Sequence, residues 1–329
     1  MQKLVTIGIP VYRRLEYLPG VLRSVEAQDY PALELLVSDN GRNGTKVEEL
    51  VRQHYKRPFR FRQNAETVSG GRHFNQLIDA AAGEYTAILS DDDEISENYV
   101  SKLVEALELH PAAGLALSRQ EIMNEAGVVI RNGAEVLPRV QAGDDFMNSI
   151  WRTYEFRFEC LATFLAKTGD MRRCGGYGDF PSGAHNENAL VIKLALGRQV
   201  ALSSDCVFRW RVAASSYGGS STIRDLAEAT RAFITFLDTD PYIVASDASR
   251  NEPWQATKDH LVEMAWATYL RRWRDVYWEQ LSLAEWTKAA FAMPLYGAYY
   301  RAALIALSLR YASVLKHGVG RLFESGIAV

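Results

Sequence analysis

Cysteine is scarce in this chain of 329 residues, which carries only Cys160, Cys174 and Cys206. Three widely spaced cysteines provide neither a disulfide framework nor the close pairs of a zinc site, so they favour a reducing compartment. The histidines other than His185 also lack the spacing of metal ligands. A structural zinc site and a disulfide-stabilised secreted domain are therefore excluded as first hypotheses.

An excess of charge of one sign is also missing. Lysine and arginine number 37 and aspartate and glutamate 40, which gives a net charge of -3. A protein that binds nucleic acid in bulk is normally far more basic, so we expect no nucleic-acid partner. No stretch reaches the roughly 20 apolar residues of a transmembrane helix. The apolar run at the N-terminus is too short for a signal peptide, so we expect a cytoplasmic protein.

Strand and helix patterns alternate over the first hundred residues. The predicted strands are 4–11, 33–39, 59–62 and 85–90, and the predicted helices between them are 15–28, 45–55 and 70–82. Alternation of this kind implies a doubly wound, mostly parallel sheet, which binds ligands beyond the carboxyl ends of its strands. Residues 113–212 mix strands, turns and one helix over 186–196, and the chain from about residue 222 onward is predicted to be almost wholly helical.

Polar residues follow three of these strands: Tyr12 and Arg13, then Asp39 and Asn40, then the acidic triplet Asp91, Asp92 and Asp93. Three adjacent carboxylates repel one another unless solvent or a bound cation compensates them. One interpretation is an ordinary exposed acidic turn. The other is a site for Mg²⁺ or Mn²⁺, which prefer carboxylate and phosphate oxygens. If strand geometry continued through the triplet, the first and third carboxylates would point the same way.

Four segments, in this order and spacing, resemble the family 2 glycosyltransferases with the GT-A fold. They are VTIGIPVYRR (5–14), LLVSDNGRNG (35–44), AAAGEYTAILSDDDEI (80–95), and GGYGDF (175–180) followed by HNENALVIKLALGRQV (185–200). The resemblance implies a GT-A-type doubly wound, mostly parallel sheet. Residues 1–215 would form the catalytic domain, with a Rossmann-like nucleotide-sugar half (1–95) and an acceptor half (96–215). Residues 216–329 would form a C-terminal helical extension.

The resemblance also implies how the donor nucleotide is bound. Pro10, Val11 and Tyr12 would line the pocket for the base, and Asp39 would contact base or ribose. Asn64 and Arg72 fall in a segment that usually helps to hold the nucleotide. These residues form the nucleotide-binding part of the expected site.

The acidic triplet resembles the D-x-D element of that family, which contacts ribose and holds a metal across the donor diphosphate. Asp93 is the favoured ligand for Mn²⁺ or Mg²⁺, and Asp91 is the expected second ligand. Asp91 and Asp92 would also contact the nucleotide. Which two acids form the metal pair stays open, because Ser90 stands where many members carry a further acid.

An inverting transfer needs a carboxylate within hydrogen-bond reach of the acceptor hydroxyl. The resemblance places Glu187 at the position of this catalytic base, with Asn186 where another acid is usual. Glu187 could instead be a first-turn acid that the helix dipole favours. His185 and Asp179 are alternative bases.

Two further segments leave their alternatives open. Arg209 and Arg211, near the end of the last predicted strand, are either diphosphate contacts or structural strand arginines. The tail from Lys288 is basic and rich in aromatic residues. It predicts either peripheral contact with a membrane surface or helices that pack on the catalytic domain or on a second copy in a homodimer.

The function implied is an inverting, metal-dependent transfer of a sugar from a nucleotide-diphosphate sugar to an acceptor hydroxyl. UDP is the first expectation for the nucleotide, with dTDP and GDP as alternatives. The acceptor would be a carbohydrate or a lipid-linked glycan in bacterial surface polysaccharide or glycolipid synthesis. Two rival hypotheses are a non-catalytic binding protein of the same fold and a sugar nucleotidyltransferase. The latter would need a basic, glycine-rich loop after the first strand, which VYRRLEY lacks.

Overall fold

The computed structural model describes residues 2–134, 137–149, 161–212 and 223–277. Contacts divide the chain into two compact units, residues 1–269 and 270–329. All elements given below lie in the first unit, except for the end of the last helix. The first unit extends beyond residue 215, and the domain boundary expected there stays a prediction.

A single ten-stranded sheet forms the centre of the described residues. Its strands are β1 (Val5–Val11), β2 (Leu33–Asp39), β3 (Phe59–Gln63), β4 (Tyr85–Ile88), β5 (Glu94–Ile95), β6 (Ala113–Met123), β7 (Val129–Asn132), β8 (Val140–Ala142), β9 (Leu165–Lys167) and β10 (Gln199–Arg211). The main order is β3-β2-β1-β4-β9-β6-β10-β5, while β7 pairs with β6 and β8 pairs with β10.

Helices connect and cover these strands. They are α1 (Leu18–Glu26), α2 (Lys46–His54), α3 (Gly70–Ala80), α4 (Tyr99–Leu109), α5 (Gly143–Ser149), α6 (Thr168–Arg173), α7 (Asn186–Ala195), α8 (Ile223–Thr239), α9 (Pro241–Ala245) and α10 (Glu252–Tyr277). Short 3₁₀ turns cover Pro181–Gly183 and Asp247–Arg250.

The hydrophobic pattern accounts for this arrangement. Every residue of β1 is buried, as expected for a central parallel strand covered on both faces. In α1, Leu18, Val21, Leu22 and Val25 recur at helical spacing and are all buried. Two large clusters of buried apolar side chains result, and they contain residues from opposite faces of the same strands.

The strand directions confirm the mostly parallel sheet. β1 runs parallel to β2 and β4, and β2 runs parallel to β3. β9 is antiparallel to both β4 and β6, and β10 is parallel to β6. β4, β6 and β10 therefore point the same way, and the ends of β1, β2, β4 and β10 share one edge of the sheet.

The predicted helical C-terminal region begins as expected with α8, α9 and α10. Trp254 and Trp266 on α10 are buried, so both act as packing residues. The basic tail from Lys288 lies outside the described residues. Within the described ranges, no helix combines the length and apolar character needed to span a bilayer.

Candidate active site

The acidic triplet lies in a turn between β4 and β5, at the carboxyl edge of the sheet. β4 ends at Ile88, so strand geometry does not continue through the triplet. The three residues are nevertheless almost fully buried, with 6%, 6% and 2% of their surface exposed. The exposed acidic turn that the sequence allowed is therefore not what the structure has.

Tyr12 and Arg14, which follow β1, contact two members of the triplet. The backbone N–H of Tyr12 donates to Asp91 Oδ2 at 3.1 Å. The Arg14 guanidinium lies 2.5 Å from Asp92 Oδ2 through Nη1 and 3.5 Å from Asp91 Oδ1 through Nη2. Asp91 and Asp92, rather than Asp91 and Asp93, thus share one partner.

Arg211, the last residue of β10, holds the other side of the triplet. Its backbone N–H donates to Asp93 Oδ1 at 2.8 Å, and its Nε donates to the carbonyl of Asp92 at 2.7 Å. Its Nη2 pairs with Glu94 Oε1 at 2.8 Å, and its guanidinium lies over the Tyr17 ring. These contacts join the end of β10 to the triplet and to Glu94, so this buried arginine clamps the turn between β4 and β5.

Burial and mutual repulsion make the triplet reluctant to ionise. Burial raises the pKa of Asp91 to about 7, and the neighbouring Asp92 carboxylate adds to this shift. Burial also raises the pKa of Asp92, although Arg14 opposes that shift. The pKa of Asp93 is raised well above its usual value by burial and then by Asp92. The positive charges around the three aspartates are therefore too few to balance all three carboxylates in their ionised form.

A divalent cation fits this deficit. Among the described residues, Asp91, Asp92, Asp93 and Glu94 face two guanidinium groups, Arg14 and Arg211, which leaves a formal excess of two negative charges. Hard cations prefer such carboxylate oxygens. No group of three or more His, Cys, Asp or Glu side chains converges as a complete metal site in the described part of the chain. A cation here would take further ligands from substrate phosphates or water, as Mg²⁺ commonly does.

Asp39 organises the loop that follows β2. Its Oδ1 accepts from the N–H of Gly41 at 2.7 Å and its Oδ2 from the N–H of Asn43 at 2.8 Å. Gln63 Nε2 on β3 also donates to Oδ2, at 2.7 Å. Both oxygens of this fully buried carboxylate already have protein partners. A contact with base or ribose stays a prediction.

Gly41 brings this loop against the end of β1. A Cβ at position 41 would lie 1.6 Å from the Tyr12 carbonyl oxygen, so only glycine allows the approach. Asn43 Nδ2 donates to the same carbonyl at 2.6 Å. The ends of β1 and β2 are thereby joined directly beside the acidic triplet.

The other predicted nucleotide-binding residues occupy different surroundings. Pro10 and Val11 are buried in β1, and Tyr12 beyond them is half-buried. Asn64 is buried and donates to Asn40 Oδ1 and Gln76 Oε1, both at 2.9 Å. Arg72 is exposed in the first turn of α3. Asn64 is therefore a structural neighbour of the β2 loop, while Arg72 has a solvent-facing guanidinium.

Glu187 lies in the first turn of α7 and keeps partial solvent access. The carboxyl is nevertheless surrounded by protein atoms. This burial raises its pKa. In the described residues no salt bridge pairs with it, and no hydrogen bond joins it to the acidic triplet. A partly accessible carboxylate with a raised pKa suits proton transfer.

The glycine-rich loop before α7 is fastened to α3. The N–H of Phe180 donates to Asn186 Oδ1 at 2.9 Å, and Asn75 on α3 makes two hydrogen bonds with the Tyr177 backbone. Asp179, the weaker alternative base, is exposed and accepts from Ser69 Oγ at 2.8 Å. Asn186, which replaces an acid usual in the family, thus has a positioning role that the sequence did not suggest.

His185 is a packing residue. Its ring stacks on Phe233 of α8, with centroids 4.6 Å apart and an interplanar angle of 18°. Burial lowers its pKa to about 4, and Asn188 Nδ2 lies 3.1 Å from its Nδ1. A buried imidazole with these partners does not suit the role of base.

Arg209 and Arg14 complete the comparison with the sequence. Arg209 Nε pairs with Glu121 Oε2 on neighbouring β6 at 2.9 Å, which favours the structural interpretation. Arg14 was part of the recognised VYRR string, but sequence reasoning gave it no role. The available signal was a pair of adjacent arginines directly after β1, whose neighbour in the sheet is β4, the strand that precedes the acidic triplet.

The model of the family "Glycosyl transferase family 2" matches residues 6–170. The chain belongs to this family. A curated relative, a GalNAc(5)-diNAcBac-PP-undecaprenol beta-1,3-glucosyltransferase of Campylobacter jejuni, is 33% identical over 108 residues, which are 32% of this chain and 34% of that protein. The match thus spans about a third of the relative's length.

Two solved structures show the same fold. S. aureus TarS in complex with UDP-GlcNAc superposes with a TM-score of 0.60 at 16% identity, covering 88% of this chain and 79% of that one. The mannosyltransferase PcManGT from Pyrobaculum calidifontis, in complex with GDP-Man and Mn²⁺, gives 0.56 at 17% identity, covering 95% and 87%. The GT-A-like α/β fold expected from the sequence is confirmed.

Proposed function

We propose that the protein transfers a sugar from a nucleotide-diphosphate sugar to an acceptor hydroxyl, with inversion at the anomeric carbon. The observation that carries the proposal is the buried acidic triplet, bonded to Tyr12 at the carboxyl edge of the sheet. This is where open α/β sheets bind ligands. Membership of glycosyl transferase family 2 supports the same reaction class.

The donor nucleotide would bind over the joined ends of β1 and β2. Pro10, Val11 and Tyr12 would form one wall, and the loop that Asp39 organises would form the other. Asn64 supports that loop through its hydrogen bond to Asn40. Arg72, exposed at the start of α3, is free to meet a phosphate or ribose oxygen. UDP is the first candidate, with dTDP and GDP as alternatives, since structural neighbours bind UDP-GlcNAc and GDP-Man.

Asp93 and Asp91 would hold Mn²⁺ or Mg²⁺, and Asp92 with Asp91 would also meet the ribose. When bound, the cation would offset the charge that develops on the departing diphosphate. The negative excess of the cluster supports this role. Arg211 holds the Asp93 carboxylate and the Asp92 backbone in place, so these groups would not have to reorganise when the donor arrives.

Glu187 would act as the general base. Its carboxylate would accept the proton of the acceptor hydroxyl as the oxygen attacks the anomeric carbon. The raised pKa strengthens it as a base once it is ionised. Asn186 and the glycine-rich loop fix the start of α7 and so the direction of this side chain.

The acceptor would be a carbohydrate or a lipid-linked glycan of a bacterial surface polymer. The Campylobacter jejuni relative, whose name includes undecaprenol diphosphate, supports a lipid-linked acceptor. Such an acceptor would place the enzyme in the cytoplasm, at the inner face of the membrane. Contact of residues 288–329 with that membrane or with a second copy is part of the same proposal.

Product analysis tests the function. Purified protein would be incubated with UDP-, dTDP- and GDP-sugars, Mn²⁺ and lipid-linked or soluble glycan acceptors, and the new linkage would be read by NMR. The proposal expects one nucleotide class to be consumed and the anomeric configuration to be opposite to that of the donor. Retained configuration would contradict inversion. Binding of a sugar nucleotide without transfer to any acceptor or to water would favour a binding protein.

A further inference from the structure

Arg14 is the one basic side chain, among those described, that bridges two carboxylates of the acidic triplet. Its Nη1 lies 2.5 Å from Asp92 Oδ2, within ion-pair distance, and its Nη2 lies 3.5 Å from Asp91 Oδ1. The proposed metal ligands and this guanidinium therefore draw on the same oxygens. A cation that approaches Asp91 must either share these oxygens with Arg14 or displace it.

The exposure of the three side chains shows which of them solvent reaches first. The Arg14 side chain is 21% exposed, whereas those of Asp91 and Asp92 are each 8% exposed. As a whole, the Arg14 side chain is thus the most accessible of the three, although its Nη1, which faces Asp92, is itself buried.

Arg14 has fewer contacts than Arg211, the other arginine at the triplet. Among the described residues, its hydrogen-bond and ion-pair partners are these two carboxylates, whereas Arg211 is held by backbone carbonyls, by Glu94 and by the Tyr17 ring. The Arg14 side chain is long, and it starts from the loop beyond β1 rather than from inside a strand. Of the two arginines at the triplet, Arg14 can therefore change partners without dismantling the turn between β4 and β5.

We propose that Arg14 is an exchangeable counter-ion: it neutralises Asp91 and Asp92 in the empty site and pairs with the donor diphosphate when a divalent cation takes over the carboxylates. A guanidinium matches phosphate oxygens in a two-pronged geometry, as it matches carboxylates. The exchange would keep each charge paired before and after donor binding. This inference rests on the proposed function, because it assigns Arg14 to the same donor site.

The two roles predict opposite effects of one substitution. Without Arg14, the carboxylates lose a competitor, so Mn²⁺ alone binds more tightly. The diphosphate loses a partner, so a nucleoside diphosphate binds more weakly in the presence of saturating Mn²⁺. A purely structural arginine would weaken both, because its loss would disorder the carboxylates.

Arg14→Gln and Arg13→Gln form a matched pair for the test. Arg13 is exposed and lies over the Tyr12 ring at 4.8 Å, so its substitution removes the same charge one residue away. Mn²⁺ binding without nucleotide would be measured by electron paramagnetic resonance, which counts free Mn²⁺. Binding of UDP, dTDP and GDP at saturating Mn²⁺ would be measured by calorimetry.

The proposal expects Arg14→Gln to bind Mn²⁺ at least tenfold more tightly than wild type and the preferred nucleotide at least tenfold more weakly. Arg13→Gln should leave Mn²⁺ binding within about twofold of wild type. Unchanged or weaker Mn²⁺ binding by Arg14→Gln would overturn the exchange, even if the nucleotide still binds. Failure of wild type to bind any nucleotide would instead count against the proposed function, so the two failures are distinguishable.

Discussion

Asp93 accepts a hydrogen bond at 2.8 Å from the backbone N–H of Arg211, 118 residues further along the chain. This bond joins the turn after β4 to the end of β10. The two strands belong to the two halves of the sheet that the sequence assigned to donor and acceptor. The acidic triplet is therefore fixed from both halves, and Arg211, the last residue of β10, holds a proposed metal ligand.

The clamp role of Arg211 predicts a large loss of stability on substitution. Arg211→Met would leave Glu94 and the carbonyls of Asp92, Asn124 and Glu125 without their donor. Breaking a buried ion pair on one side costs about 3 kcal/mol or more. Arg209→Met is the control, because its pair with Glu121 is partly exposed and should contribute about 1 kcal/mol or less.

Urea denaturation would measure the free energy of unfolding of both variants and of wild type. Equal losses of free energy of unfolding in Arg211→Met and Arg209→Met would contradict the clamp. A large loss confined to Arg211→Met would support it.

Burial of Asp91 predicts a pH-dependent stability. Its pKa is 3.8 in the unfolded chain and about 7 in the fold, so the folded state binds the proton more readily. The stability that Asp91 contributes is present below pH 4 and is lost as pH rises toward 7, on the order of 1 kcal/mol per pH unit. Asp91→Asn should therefore gain stability relative to wild type over this range when metal is absent.

Urea denaturation at several pH values between about 4 and 7, with a chelator present, would check this sign. Asp205→Asn, which removes an exposed carboxylate, serves as the control. A difference between wild type and Asp91→Asn that does not change with pH would refute the electrostatic account.

The proposed base predicts a specific kinetic loss. Glu187→Gln keeps the size of the side chain but cannot accept the acceptor proton, so turnover should fall by roughly 10²–10⁴. Nucleotide binding should stay close to that of wild type. Asp179→Asn, from the same loop region, should keep most of its activity, and the reverse ranking of the two variants would transfer the role to Asp179.

Gly71 predicts a steric effect on the loop that leads to Glu187. A Cβ at position 71 would lie 2.1 Å from the Gly178 carbonyl oxygen, so Gly71→Ala must displace the glycine-rich loop. Overpacking of this kind costs about 1–3 kcal/mol, and turnover should fall with the misplaced loop. Gly70→Ala meets no atom within 4 Å and should fold and turn over as wild type does. Loss of activity in both variants would point to the helix rather than the loop.

The sequence predicted the fold more fully than the site. Buried runs such as 5–11 and helical spacing such as that of Leu18, Val21, Leu22 and Val25 report directly on burial, so the strands and helices predicted over the first ninety residues lie within a few residues of their observed bounds. No prediction covered the helices α4, α5 and α6. The family resemblance supplied the order of the motifs. The antiparallel β9 went unpredicted, because three residues carry too little periodicity to indicate a strand.

The contacts of the site depend on chain segments that are distant in sequence. Nothing local to Arg211 indicates that it binds the backbone of Asp92, and nothing local to Arg14 indicates that it bridges two carboxylates. The sequence also did not predict that Asp91 and Asp92 share Arg14 as a partner, because this depends on where β4 ends. Asn186 looked like a departure from the family pattern, yet its amide holds the loop before α7.

The most direct test of the donor site is a thermal-shift panel of UDP, dTDP, GDP, CDP and ADP, each with and without Mn²⁺, on wild type and Asp93→Asn. The asparagine can still accept from Arg211 but removes the charge. A ligand at 100 times its dissociation constant stabilises the fold by about 2.7 kcal/mol, which raises the melting temperature by a few degrees. We expect one nucleotide to stabilise wild type only with Mn²⁺, and the variant much less. Equal shifts of both proteins, or a shift that needs no metal, would contradict the account.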